Sequence, residues 1–143
     1  MMPQPAAKSP RVAVAGILQR GDGRVLLGRR GKEPGAGTWA FPGGSLEWGE
    51  SLVKGAQREF YEETGIWAEP VSVAYLGELI TEESHFVLVD YWMSAENWTA
   101  SASSDLVEVA WVSAEEWMGY HLADGMHACL RDPGVRRLLG WPA

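Results

Sequence analysis

The sequence predicts an α/β fold: a mixed β-sheet with helices packed against it. Three observations carry this. Apolar runs of strand length recur along the chain, one segment switches to a helical period, and the elements follow the order β-β-β-α-β-β-β-α. The first strand is Arg11 to Gln19 (RVAVAGILQ) and the second is Arg24 to Arg30 (RVLLGRR). Between them Arg20-Gly21-Asp22-Gly23 is turn chemistry, so the pair reads as a β-hairpin. Gly31 to Thr38 is a loop by its Gly and Pro content, and Trp39-Ala40-Phe41 is a very short strand stopped by Pro42-Gly43-Gly44. From Ser51 to Thr64 the period changes. Leu52, Ala56 and Phe60 recur every fourth residue with Val53 beside them, and Gly65 follows as the residue past a helix end. Strands are expected near Val71–Leu79 and His85–Ser94, then a polar loop from Asn97 to Asp105 and a strand at Val107–Val112. Ser113-Ala114-Glu115-Glu116 has capping-box spacing and starts a short helix. Met126 to Leu139 is a weaker helix interrupted by Asp132-Pro133-Gly134.

A chain of 143 residues fits one domain, read as a flexible tail over residues 1–10 and a folded unit over residues 11–143. With 46% apolar and 22% charged residues the composition is globular, not disordered. The net charge of −7 argues against non-specific nucleic-acid binding, which depends on Lys and Arg neutralising phosphates. An acidic protein still binds phosphates when metal ions lie between the like charges. Cys129 is the only cysteine, so neither an intramolecular disulfide nor a cysteine-based zinc site is expected. A small buried apolar role suits it better than a catalytic thiol. The first ten residues lack the apolar stretch of a signal peptide, and no run approaches the ~20 apolar residues of a membrane span. A cytoplasmic enzyme is the resulting expectation.

The helix carries the chemistry. On a wheel of about 100° per residue, Leu52, Val53, Ala56 and Phe60 share a core-facing arc, while Lys54, Gln57 and Tyr61 face solvent. Glu63 falls inside the apolar arc, Glu59 at its edge and Glu62 one step further round. Like charges one turn apart repel, and a partly buried unpaired carboxylate costs several kcal/mol or takes up a proton. A cation among them resolves the conflict, and hard divalent ions such as Mg²⁺ suit carboxylate oxygens. Gly55 lies one turn before Glu59, either leaving room for metal or phosphate or standing as a tolerated helix glycine. A solvated acidic face would account for the composition; the spacing favours the metal.

The segment Gly44 to Ile66, GSLEWGESLVKGAQREFYEETGI, resembles the Nudix box, G-x5-E-x7-R-E-U-x-E-E-x-G-U with U bulky and apolar. Gly44, Glu50, Arg58, Glu59, Glu62, Glu63 and Gly65 match the fixed positions, and Phe60 and Ile66 fill the U positions. Chance agreement at average residue frequencies is roughly one in 10⁸ to 10⁹ per start site. LLGRR at Leu26–Arg30, PGAGTWAFPGG at Pro34–Gly44, LEWGES at Leu46–Ser51 and VAWV at Val109–Val112 extend the resemblance to the small MutT-type branch, over about Val12 to Trp117. The resemblance implies an α/β/α sandwich with a mixed sheet between helices. It implies that Glu59, Glu62 and Glu63 hold Mg²⁺ (Mn²⁺ as a substitute), with the Gly43 carbonyl as a further ligand. It implies as well that Glu50 pairs with Arg58 and sets the ligands in place. By the same resemblance a bound metal would neutralise a diphosphate and activate a water, and Glu62 would accept the water's proton. Asp105 or Glu108 could supply the base or another ligand instead, or be ordinary exposed charges.

The expected reaction is hydrolysis of a (deoxy)nucleoside triphosphate, oxidised forms included, to monophosphate and pyrophosphate. Hydrolysis of ADP-ribose or a nucleotide sugar is the alternative. ADP-ribose enzymes of this kind often carry a proline about fifteen residues past the box, and Ile80 to Glu82 holds none. RNA 5′-end hydrolysis shares the box but fits the acidic charge and short length less well. From a different class stands a non-catalytic nucleotide-sensing module, which has no need of the full glutamate set. Trp39, Trp92 or Phe86 could stack on a base, and Arg29 or Arg30 could reach a phosphate. Core packing and solvated edge charges are the alternatives for these residues. His85 suits a strand-end side chain bonded to backbone better than a ligand contact. A homodimer is expected from family habit alone.

Overall fold

The computed structural model describes residues 8–142. Residues 1–7 of the expected tail lie outside the described residues, and residues 8–10 are exposed ahead of the first strand. The chain forms β1 (Arg11–Leu18), β2 (Val25–Arg30), β3 (Trp39–Ala40), β4 (Gly43–Ser45), α1 (Leu52–Thr64), β5 (Glu69–Ile80), β6 (His85–Ser94) and β7 (Leu106–Val112). A single 3₁₀ turn at Trp117–Gly119 follows, then α2 (Met126–Arg131) and α3 (Pro133–Leu139). The α/β class is as the sequence predicts.

The strands form two sheets instead of one. The first has the order β4-β1-β6-β5 and is mixed, because β1 and β6 run parallel while the other neighbours are antiparallel. The second, β3-β2-β7, is antiparallel. The expected β1–β2 hairpin is therefore reduced to its turn. Asp22 accepts from the Arg24 N–H, and one bridge joins Gln19 to Val25. The reason is that β4 and β6 occupy both edges of β1, leaving none for β2. Gly43 and Gly44, expected to stop a strand, are themselves strand residues that pair with Ala15 and Val14.

Alternation along the strands divides the interior into two layers. Val14 and Leu18 of β1, Leu26 of β2 and Val89, Tyr91 and Met93 of β6 pack with Ala56 and Phe60 of α1. Ile17, Val25 and Leu27 point the other way, toward Trp117, Cys129, Leu130, Val135 and Leu139. Helices thus cover both faces. Near the C-terminal end the chain breaks as expected: Asp132 caps α3, accepting from the Val135 N–H at 3.1 Å, and Pro133 occupies the first turn. The Ser113–Glu116 box yields only the 3₁₀ turn, with the Glu116 carboxylate accepting from the Ser113 N–H at 3.1 Å. Among the described residues no helix is long and apolar enough to cross a membrane.

Candidate active site

Ser51 caps α1 by accepting from the Lys54 N–H, and Gly65 ends it at φ 76°. That positive φ is why a glycine stands there. The buried face differs from the wheel. Ala56, Phe60 and Glu63 are buried as expected, but Leu52 and Val53 are exposed, and Gly55 and Thr64 are buried instead. The loop of residues 46–50 folds over Gly55, where a Cβ would come within 2.5 Å of Leu46 Cδ1 and 3.0 Å of Glu50 Oε1. Gly55 therefore makes room for the loop, and the space expected there for metal or phosphate is filled.

Arg58 ties that loop to the helix. Its Nε donates to Glu50 Oε2 at 2.6 Å and its Nη2 to Glu50 Oε1 at 2.9 Å, a two-pronged charge-assisted contact. Nη2 also reaches the Ser45 carbonyl at 3.3 Å. Nη1 donates to Glu59 at 3.0 Å and to both Glu62 oxygens at 3.3 Å. With Arg58 bound on one edge and the Glu47 N–H donating at 3.1 Å, the Glu50 carboxyl is held down at about 2. Glu59 lies over Gly44, at a distance no Cβ on Gly44 would allow. Burial raises its pKa against the pull of Arg58.

Glu63 is the outlier. It is buried and has no ion pair among the described residues, and burial pushes its pKa up to about 8, with the charges of Glu59 and Asp105 adding to the rise. Asp105 comes this close because the loop before β7 is tied to the end of α1: the Ser103 N–H donates to the Glu63 carbonyl and the Ser101 N–H to the Thr64 carbonyl. Asp105 itself pairs with Lys32 at 2.8 Å, whereas Glu108 is taken up by Arg29 at 3.0 Å.

The structure thus brings Glu50, Arg58, Glu59, Glu62 and Glu63 together with Gly44, and Asp105 near them. Of the side chains expected to meet phosphate, Arg30 lies near enough to Glu63 for its charge to offset part of the rise in that carboxyl's pKa, while Arg29 is paired with Glu108. Trp39 is buried in the core edge-to-face with Tyr120, at a centroid distance of 5.1 Å, so its ring already has a partner. Phe86 lies at the start of β6, next to His85, which contacts Glu78 at 3.0 Å. Trp92 packs against the second core. Among the described residues no three acidic, His or Cys groups already converge as metal ligands. The donor set nevertheless fits a hard divalent ion: carboxylate oxygens on one helix face, one of them buried without a cationic partner.

Sequence reading passed over one group. Asp90 is buried in the middle of β6, where its Oδ2 accepts from the Cys129 thiol at 3.4 Å. An acid inside the run HFVLVDYWMS was the available signal. Cys129 is buried, as expected, and burial raises its pKa further from the thiolate.

A model of the NUDIX domain family matches residues 9–131. A MutT-like protein of Streptomyces ambofaciens is 34% identical over 116 residues, which is 80% of this chain and 72% of that protein. An ADP-ribose pyrophosphatase of Methanocaldococcus jannaschii is 44% identical over 57 residues; that match spans 40% of this chain and 33% of the relative's length. Among solved structures, the MutT protein from Methanosarcina mazei Go1 superposes with a TM-score of 0.79 at 27% identity, covering 87% of this chain and 93% of that one. The chain belongs to the NUDIX family, as a MutT-type hydrolase acting on acid anhydrides.

Proposed function

We propose that this hydrolase cleaves (deoxy)nucleoside triphosphates, oxidised forms included, to monophosphate and pyrophosphate, using Mg²⁺. Glu63 carries the reading: a buried carboxylate amid other acids and without an ion pair, eased only in part by the charge of Arg30, takes up a proton unless a cation joins it, and a divalent ion suits its oxygen donors. Glu59, Glu62, Glu63 and the Gly43 carbonyl would hold Mg²⁺, with Mn²⁺ as a substitute; family members generally use divalent ions. When bound, the ion supplies neutralisation of the phosphate charge and a water of lowered pKa. Glu62 is the most exposed of the three, and Arg58 holds it at 3.3 Å against 3.0 Å for Glu59, so it is free to take the water's proton. Arg58, gripped by Glu50, fixes the side-chain positions around it.

The MutT-like relative, matched over most of this chain, supports the MutT-type branch, for which the sequence resemblance implies a triphosphate. The turn after β5 is formed by Thr81–Ser84 without proline. The shorter match to an ADP-ribose pyrophosphatase favours ADP-ribose or a nucleotide sugar as the second reading. Product analysis after incubation with Mg²⁺ and dGTP, 8-oxo-dGTP, dCTP, ADP-ribose or a dinucleoside polyphosphate separates them. Monophosphate plus pyrophosphate is expected, with Glu62→Gln slower by ~10²–10⁴-fold. Turnover of ADP-ribose alone would replace the first reading by the second.

A further inference from the structure

We propose that α2 and α3 carry a second anion site, separate from the glutamates, which takes a diphosphate group, free or on a nucleotide. Its centre is a cavity of about 650 Å³ lined by Arg131, Pro133, Arg136, Arg137, Gly140 and Trp141. None of these residues belongs to α1 or to the loop of residues 46–50. The two short helices pack on the core layer that α1 does not cover.

Elsewhere in this acidic chain arginines find carboxylates. Arg20, Arg24, Arg29, Arg30 and Arg58 all make ion pairs. Arg131, Arg136 and Arg137 make none among the described residues. Asp132, between them in sequence, has its carboxylate engaged in the α3 cap, accepting from the Val135 N–H at 3.1 Å. Stacking holds the cluster instead. The Arg131 and Arg136 guanidiniums lie 5.9 and 5.5 Å from the centroid of the Trp117 ring, and Arg136 lies 5.9 Å from that of Trp141. Arg136 Nη1 also donates to the Pro142 carbonyl at 2.8 Å. Two like charges therefore share one indole, fixed in place and without a counter-charge.

Helix ends explain part of this. The last turns of α2 and α3 favour a nearby cation, which accounts for Arg131 at one and a single arginine at the other. It does not account for Arg136 and Arg137 side by side, or for Arg131 and Arg136 gathered over the same ring. A bound polyanion does. Guanidinium forks meet phosphate oxygens two at a time, and stacking has already set the forks in position. A diphosphate is charged on both phosphoryl groups, so it engages more than one guanidinium at once. Pro133 and Trp141 add apolar surface to the same cavity, against which the rest of a nucleotide rests. With a net charge of −7 the remaining surface repels anions, which directs them to this patch.

Titration of the metal-free protein with sodium pyrophosphate at low salt, read by calorimetry and by amide NMR shifts, tests this apart from turnover. Without metal the glutamates repel the probe. Saturable one-to-one binding is expected, with shifts centred on Arg131, Arg136 and Arg137. Arg131→Gln and Arg137→Gln change exposed residues and are each expected to weaken binding ~10-fold, while Glu59→Gln leaves it unchanged. GDP and guanosine are the second arm. GDP binding more tightly than pyrophosphate assigns the site to nucleotides, and GDP binding no more tightly assigns it to the free diphosphate. Binding of guanosine as tight as GDP would overturn the proposal, as would no saturable binding of pyrophosphate, shifts centred on α1, or unchanged affinity in both arginine variants. None of these outcomes depends on which substrate the hydrolase cleaves.

Discussion

Arg58 donates to Glu50 through two nitrogens and to Glu59 and Glu62 through a third, so one planar group sets the positions of three carboxylates. A lysine keeps the charge but not the fork. Arg58→Lys is expected to lower kcat ~10–100-fold with KM nearly unchanged, measured by steady-state kinetics. Glu50 and Asp90 respond to pH in opposite directions. The Glu50 carboxyl is held at about 2 in the fold, below its usual 4.5, so its stabilising contribution is present above about 4.5 and is lost as pH falls through about 2. Glu50→Gln should therefore melt below the wild type at pH 7, with the gap closing toward pH 2. Asp90, raised from 3.8 to about 6, stabilises the fold only while protonated, and that contribution disappears as pH rises from about 4 through 6. Asp90→Asn is expected to gain about 2–3 kcal/mol over the wild type at pH 8 and nothing near pH 4, by thermal melts at both. An Asn variant less stable at pH 8 would mean that the carboxylate holds the fold together.

At the scale of elements, α1 and the loop of residues 46–50 act as one unit, and Gly55 is where they meet. Gly55→Ala would gain up to ~1 kcal/mol of helix propensity, yet its Cβ would press on Leu46 and Glu50. The expected outcome is a lower melting temperature and weaker activity together; a more stable, fully active variant would show that the loop can give way. The extent of α1, its Ser51 and Gly65 ends and the grouping of its glutamates were legible in the sequence, because the helical period and the fixed spacing of the box are local. What lay out of reach was non-local. Leu52 and Val53 read as core by period alone, but the loop covers Gly55 instead and leaves that first turn exposed. Apolar runs predict β1 and β2 but not that β4 and β6 claim both edges of β1. Trp39 reads equally well as base platform or core, and only packing against Tyr120 distinguishes them. Asp90 was visible as a charge in an apolar run, and its neighbour Cys129 is 39 residues away.

Across the whole molecule, the two core layers lie on opposite sides of β1 and β6, with the glutamates on α1 to one side and a cavity beside Asp90 on the other. Gly43 and Gly44, on the short edge strand β4, connect them. Trp117 anchors the second layer at 2% exposure, so Trp117→Ala should cost about 3–5 kcal/mol in chemical denaturation. A loss under 1 kcal/mol would mean that this layer contributes little. The central claim is that the carboxylates of α1 tolerate one another because a divalent cation joins them. Its most direct test is calorimetric titration of the metal-free protein with Mg²⁺ or Mn²⁺ at neutral pH, alone and with a non-hydrolysable triphosphate. Saturable uptake is expected in the wild type and its loss in Glu59→Gln and Glu63→Gln; uptake absent from the wild type, or unchanged in both variants, would contradict the account.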